Sequence, residues 1–283
     1  MSGSDAAKEP AAVLGLGIVG SRAYGRLVEA GWPVQAWNRT PKGLAGERGD
    51  ARDAVRGARW ISLFLKDAPA VREIFERIAP GLTPGHVVLN HSTVDLATTR
   101  WLAERCAEVG CGFLDVPFTG SKLAAASGQL LYYAAGDPAL LDRAEPYLQV
   151  TSRGWIRCGD IGAATVVKLA TNLISACTVQ ALAEAFAIAS RHGIDGERFV
   201  SVVAQSASAS MLSGMKLPAM AAGDFEPQFT LSNMEKDSRY VRELAAEAGL
   251  QTPAIDAVSA RMAELCAAGL ADLDFSALAK AYS

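Results

Sequence analysis

Residues 11–40, "AAVLGLGIVGSRAYGRLVEAGWPVQAWNRT", hold three glycines, Gly15, Gly17 and Gly20, between a short apolar run and a longer amphipathic one. The run before Gly15 reads as a strand, the stretch up to Gly31 as a helix, and "VQAWN" as a second strand that ends about 18 residues beyond Gly20. A bare G-x-G-x-x-G is a weak signal, and the surrounding strand, helix and second strand are what give it force. Gly15 permits the tight turn, Gly17 lets backbone approach a pyrophosphate, and Gly20 lets the helix pack against the strand. Leu16, Ile18 and Val19 complete the loop, and the helix N-terminus offers N–H groups and a positive dipole end to phosphates. The competing reading is a purely structural turn.

The second strand closes on Asn38, Arg39 and Thr40. An NAD site normally places an acid here to bond the ribose 2′-OH, and this chain has none until Glu47. A guanidinium beside neutral donors suits a 2′-phosphate, which favours NADP(H) over NAD(H). The alternative for Arg39 is a solvated surface arginine.

Working outward, "RWISLFL" (59–65), "HVVLNH" (86–91), "GFLDV" (112–116), "LLYYAA" (130–135) and "WIRC" (155–158) alternate with amphipathic stretches. That alternation predicts an α/β fold with a parallel, doubly wound, Rossmann-type sheet. Beyond Gly159–Gly162 the pattern changes, with no proline between Pro146 and Pro218 and apolar residues at helical spacing. Residues 163–191 read as one long helix of roughly 40 Å, at ~1.5 Å per residue, stopped at His192-Gly193. It is apolar nearly all round, which predicts burial, in part by another subunit of a homodimer or homotetramer. The expected organisation is a disordered leader (1–10), an NADP-binding Rossmann domain (11–162) and an all-helical C-terminal domain (163–283).

A length of 283 residues fits two domains, and a net charge of −3 gives no reason to expect nucleic acid or an anionic membrane as partner. A small soluble ligand is the better expectation. The five cysteines are odd in number and show no metal spacing, which suits buried thiols in a reducing compartment and predicts no bound metal. The opening "MSGSDAAKEP" is neither a signal peptide nor a membrane span, so a cytoplasmic protein is expected.

A nicotinamide enzyme also needs a proton donor for the substrate oxygen, most often histidine. His192 ends a helix and His86 follows a turn, so both read as structural, whereas His91 at a strand end remains a candidate. Ser213 and Lys216 have the S-x-x-K spacing of a penicillin-binding-type nucleophile but lack its partner motifs. In "VVKLATNLIS" (166–175), Lys168 and Asn172 share one helix face just past the domain junction, where ligand clefts tend to form. A partly buried ammonium there exchanges protons nearer neutral pH. Pattern alone leaves open that Lys168 snorkels from a helix end with Asn172 solvated beside it.

Four ordered motifs carry a resemblance to the β-hydroxyacid dehydrogenase family, which includes 3-hydroxyisobutyrate dehydrogenase and glyoxylate/succinic semialdehyde reductase and is related to 6-phosphogluconate dehydrogenase. They are "GLGIVG" (15–20), "DVPFTGS" (115–121), "GDIGAATVVKLATN" (159–172) and "NMEKD" (233–237), and the resemblance runs from about residue 11 to the end. It implies that Thr119, Gly120 and Ser121 hold a substrate carboxylate, that Lys168 is the general acid/base and that Asn172 supports it. It also implies that Thr93 lies by the nicotinamide ribose and substrate, that Leu65 lines the cofactor, that Lys236 reaches it, that Asp237 helps close the site and that Phe229 forms an apolar wall. Lys66 stands where many relatives have proline, Val19 where they have methionine, and Thr119 and Ser121 where they have serine and glycine. "TGSK" and the terminal "GLADLDFSALAKAY" resemble the glyoxylate/succinic semialdehyde reductase subgroup most.

The implied activity is NADPH-dependent reduction of a small aldehyde acid, with oxidation of 3-hydroxyisobutyrate or a related β-hydroxy acid as the alternative. A catalytically idle nucleotide-binding relative is a further alternative; it would be expected to lose the lysine, which this chain keeps. Imine reductases share the fold but typically lack that lysine.

Overall fold

The computed structural model describes residues 8–282. The chain divides into two compact units, residues 1–168 and 169–283, so the division falls inside the long helix and not at the glycines of 159–162. Residues 1–7 of the expected leader lie outside the described residues. Lys8 to Pro10 lead directly into the first strand, with Lys8 Nζ on the Ala30 carbonyl (2.5 Å) and the Pro10 carbonyl accepting from Arg59 N at 2.6 Å.

In the first unit, β1 (Ala11–Leu14), α1 (Gly20–Glu29), β2 (Val34–Trp37), α2 (Ala51–Val55), β3 (Trp60–Leu63), α3 (Ala68–Ile78), β4 (Val87–Asn90), α4 (Leu96–Val109) and β5 (Gly112–Asp115) build the nucleotide-binding half. Then come β6 (Phe118–Thr119), α5 (Lys122–Ala126), β7 (Leu130–Ala135), α6 (Pro138–Leu148), β8 (Ser152–Gly159) and the start of α7 (Ala163–Arg191). The sheet runs β2-β1-β3-β4-β5-β7-β6, with β8 paired to β7. Every residue of β1, β3 and β4 is buried, which is why these strands read as continuous apolar runs. Val13, Leu89, Leu114, Trp60 and Tyr147 lie at the centre of the core, with the Trp60 and Tyr147 rings stacked at 6.0 Å.

The strands from β2 through β5 pair in parallel, but β7 is antiparallel to β5 and β6, a departure from the wholly parallel sheet expected. The reason lies in the connection. The five-residue α5 is about 7 Å long at ~1.5 Å per residue, too short to carry the chain back along the sheet for a parallel re-entry. Strand order reverses between β1 and β3, so the ends of these two strands frame the position where open α/β sheets bind ligands.

In the second unit, the rest of α7 is followed by α8 (Gly196–Ala204), α9 (Met211–Ala222), α10 (Leu231–Glu247), α11 (Pro253–Leu265) and a 3₁₀ segment, Phe275–Tyr282. Side-chain caps start several helices, Asp195 for α8, Ser210 for α9 and Thr230 for α10. Within this chain α7 is covered only in part: Leu169, Ala176, Val179 and Ala183 are buried, whereas Ile174 and Ile188 are 62% and 64% exposed. By length and composition α7 could cross a membrane. It nonetheless carries polar groups bonded within the unit, including Gln180 to Tyr282 Oη at 2.5 Å and to Glu184 at 2.7 Å.

Candidate active site

The glycine loop leaves β1 at Gly15, whose φ of +99° suits glycine and whose hydrogen faces the Phe64 carbonyl; a Cβ there would lie 2.3 Å from that oxygen. At Gly20 a Cβ would lie 2.0 Å from the Gly15 carbonyl, so α1 could not approach β1 this closely with any side chain at that position. Gly17 is different: a Cβ there would meet nothing within 4 Å, so its backbone borders open space. Val19, at the N-cap position of α1, makes no side-chain bond to the helix end. Two tight glycines, one open glycine and a helix start uncapped by its own side chain fit the pyrophosphate of a dinucleotide.

Asn38 braces this loop. Its Oδ1 accepts from Leu16 N at 2.8 Å and its Nδ2 donates to the Thr40 carbonyl at 2.7 Å, joining the end of β2 to the turn after β1. Arg39 and Thr40 are exposed, and Arg39 Nη2 meets Glu73 Oε2 of α3 at 2.7 Å. An exposed pair of this kind is weak, so the guanidinium can be re-aimed toward a phosphate. Beyond β3, Leu65 N donates to Ser92 Oγ at 2.8 Å, which itself donates to the Leu63 carbonyl, and half-buried Thr93 follows.

His91 is not available for proton transfer. A carbonyl can only accept, so its Nδ1 carries the hydrogen given to Val116 O at 2.8 Å, and Nε2 accepts from Ser62 Oγ at 3.1 Å. Ser62 in turn accepts from Tyr147 Oη at 2.9 Å. Burial outweighs the favourable backbone bond and pushes the imidazole down to about 4, so this histidine stays neutral and structural. Ser213 is equally committed, closing the capping box of α9 with Ser210, while Lys216 pairs with Asp274 at 2.7 Å. The penicillin-type reading therefore has no free nucleophile.

Lys168 comes to rest near the ring of Phe118, at the start of β6. Thr119 pairs with Leu131 of β7, and Gly120 turns the chain at φ +136°. Ser121 caps α5 by accepting from Ala124 N at 3.3 Å, a role that leaves its O–H able to donate to a carboxylate. Lys168 is half-buried, with Nζ 5.9 Å from the centroid of Phe118, the residue just before Thr119. The acid named by the helix motif thus lies beside the segment named by the turn motif. Pattern reading passed over Asp115, which ends β5 and is completely buried.

In the second unit Asn172 is buried, not solvated, and its Nδ2 donates to Asp237 Oδ2 at 2.6 Å. Asp237 Oδ1 lies 2.9 Å from Lys236 Nζ, and the ammonium sits 5.2 Å from the Tyr240 ring. The amide, carboxylate and ammonium form one buried cluster between α7 and α10. Phe229 packs edge-to-face on Phe275 at 6.0 Å, and its N–H donates to Asp274 Oδ2 at 3.2 Å. Among the described residues no three His, Cys, Asp or Glu side chains gather as a metal site.

Comparison with known proteins gives these groups a context. The profile of the NAD binding domain of 6-phosphogluconate dehydrogenase matches residues 11–166, and that of NADP-dependent 3-hydroxyisobutyrate dehydrogenase matches residues 162–282. Glyoxylate/succinic semialdehyde reductase 2 of Arabidopsis thaliana is 29% identical over 95% of this chain and 78% of its own length. Glyoxylate/succinic semialdehyde reductase 1 of the same plant is 27% identical over 95% and 96%. The solved structure of Mycobacterium tuberculosis 3-hydroxyisobutyrate dehydrogenase with L-serine superimposes with a TM-score of 0.87 at 27% identity, covering 96% of this chain and 98% of that one. With both profiles matched along the chain and a nucleotide loop that fits its ligand, this protein belongs to the β-hydroxyacid dehydrogenase family of NAD(P)-dependent oxidoreductases acting on CH–OH groups.

Proposed function

We propose that the protein reduces a small aldehyde acid, of the glyoxylate or succinic semialdehyde type, to the hydroxy acid with NADPH. The observation that carries this reading is the half-buried Lys168 with Nζ 5.9 Å from the ring of Phe118, the residue that precedes the Thr119-Gly120-Ser121 turn. The bound nicotinamide supplies the hydride that reaches the carbonyl carbon. Lys168 gives a proton from Nζ to the oxygen on which negative charge develops, and is reprotonated from solvent. Thr119, Gly120 and Ser121 hold the carboxylate through hydroxyl and backbone N–H groups, fixing the carbonyl for attack. Asn172 supports Lys168 from one helical turn away, and its bond to Asp237 fixes the amide. The loop of Gly15 to Gly20, with Leu65 and Thr93, holds the cofactor.

The preference for NADPH rests on Arg39 and Thr40 standing exposed at the end of β2, with Asn38 bracing the loop beneath them. Likeness to 3-hydroxyisobutyrate dehydrogenase supports a second reading, the same chemistry run as oxidation of a β-hydroxy acid. Both are tested by one panel: NADPH and NADH oxidation with short aldehyde acids, and NADP⁺ and NAD⁺ reduction with the matching hydroxy acids. Faster aldehyde-acid reduction with NADPH is expected; faster turnover with NADH would overturn the cofactor preference. The reading includes a homodimer or homotetramer in which a second copy covers Ile174 and Ile188, and sedimentation velocity at micromolar concentration tests it, a monomer being the contrary result.

A further inference from the structure

The first N–H groups of an α-helix have no partner within the helix, and a side chain just ahead of it normally caps them. α7 begins after Gly159-Asp160-Ile161-Gly162, and its first turn is met from 50 residues away. Asp115 Oδ2 accepts from Thr165 N at 3.0 Å, and Thr165 Oγ1 lies 2.9 Å from Oδ1 and 3.0 Å from Oδ2. An ionised carboxylate only accepts, so the single hydroxyl hydrogen of Thr165 goes to Asp115. The 2.8 Å contact between Thr99 and Thr165 is then donated by Thr99 of α4. One residue therefore receives two bonds from the start of α7 while ending the strand that runs, through Val116 and Pro117, into Phe118 and the substrate turn.

Lys168 follows Thr165 by three residues and so stands one turn along the same helix face. The direction in which it leaves the helix depends on how the first turn of α7 is rotated against β5, and the Asp115–Thr165 bonds fix that rotation. We propose that Asp115 and Thr165 are positioning residues which, through a cap supplied by the sheet, hold Lys168 in line with the Thr119–Ser121 turn; this inference rests on Lys168 being the proton donor. Burying a carboxylate without a paired cation is costly, and it pushes the Asp115 carboxyl up to about 6 despite the bonds from Thr165. An apolar contact would hold the two elements together without that cost, but it would not fix the rotation of the helix. Misplacing a catalytic group by about 1 Å can cost up to about 100-fold in rate.

The test uses the full chain and the best substrate of the aldehyde-acid panel, with kcat, the KM for NADPH and the thermal midpoint measured for each variant. Thr165→Val keeps the N–H bond and the side-chain shape but removes the hydroxyl; Thr165→Ser keeps both bonds. We expect Thr165→Val to lose about tenfold or more in kcat with the NADPH KM within about twofold, and Thr165→Ser to recover most of that loss. Introduced into Lys168→Met, Thr165→Val should cost less than about twofold, because there is no longer a donor to aim. If Thr165→Val keeps wild-type kcat while Lys168→Met is inactive, the positioning role is overturned and the reading of Lys168 stands. Equal losses in both backgrounds would place the effect elsewhere and overturn it too. Wild-type turnover in Lys168→Met would overturn the function reading, and with it the need for any such clamp.

Discussion

Asp115 in the first unit and Asp274 in the second are both buried, yet opposite means hold their carboxylates. Asp274 faces an ammonium, Lys216 Nζ at 2.7 Å, and also accepts from the N–H groups of Gln228, Phe229 and Ser276. Burial works against its charge, but Lys216 and these bonds outweigh it and hold the carboxyl below its usual range. Asp115 has the dipoles of a helix start and a hydroxyl, and there burial wins. The ion pair fixes a loop that carries Phe229, whereas the dipole-held carboxylate fixes the helix that carries Lys168. Charge paired with charge serves packing in one unit; charge paired with a helix end serves aim in the other.

The largest effect on stability is expected where the pair is split. Lys216→Met strands a buried Asp274 and should cost about 3–5 kcal/mol, read by urea unfolding. A loss under about 1 kcal/mol would mean that water already reaches the carboxylate.

The two aspartates should also respond to pH with opposite sign. Asp115, raised in the fold from 3.8 to about 6, holds its proton longer when folded. Its contribution is therefore greatest below about pH 4 and is lost as pH rises through about 6, a change of roughly 3 kcal/mol. Asp274, lowered in the fold, contributes above the usual carboxylate range and loses that contribution as pH falls through its folded value. Urea unfolding of the wild type against Asp115→Asn between pH 4 and pH 7 should show the wild type losing ground to the variant as pH rises; a constant difference would count against the raised carboxyl.

A third carboxylate, Glu73, holds Arg39 in the open. Arg39→Ala should weaken NADPH binding by about tenfold or more while leaving NADH nearly unchanged, as a lost charge-assisted bond to phosphate requires. Glu73→Gln should shift NADPH affinity by less than about threefold, since an exposed pair is easily exchanged for water. Fluorescence titration with both nucleotides reads both variants, and equal losses for NADPH and NADH in Arg39→Ala would place the guanidinium away from the 2′-phosphate.

Much of the first unit was legible because its signals are local. All seven apolar runs fall on strands, and the steric demands on Gly15 and Gly20 follow from a strand, a turn and a helix within 20 residues. The antiparallel return through β6 and β7 was not legible, since a two-residue strand has no periodicity to detect. The bond from Leu16 N to Asn38 Oδ1 was not legible, because it depends on how the loop folds back, which spacing does not encode. Asn172 could not be told from a solvated residue, because its partner Asp237 lies 65 residues away. The Asp115–Thr165 bonds were hidden for the same reason, though an acid at a strand end and a threonine in the third position of a helix were visible signs. The apolar periodicity of α7 reports that the helix seeks cover, but not that Ile174 and Ile188 are the positions this chain leaves exposed.

The most direct measurement is the turnover of Lys168→Met with NADPH and the best aldehyde acid, alongside NADPH affinity by fluorescence titration. A loss of at least about 100-fold in kcat with nucleotide affinity within about threefold is expected for a lost general acid. A variant that turns over at the wild-type rate, or that loses activity only because it no longer binds NADPH, would contradict the assignment of Lys168 as the proton donor.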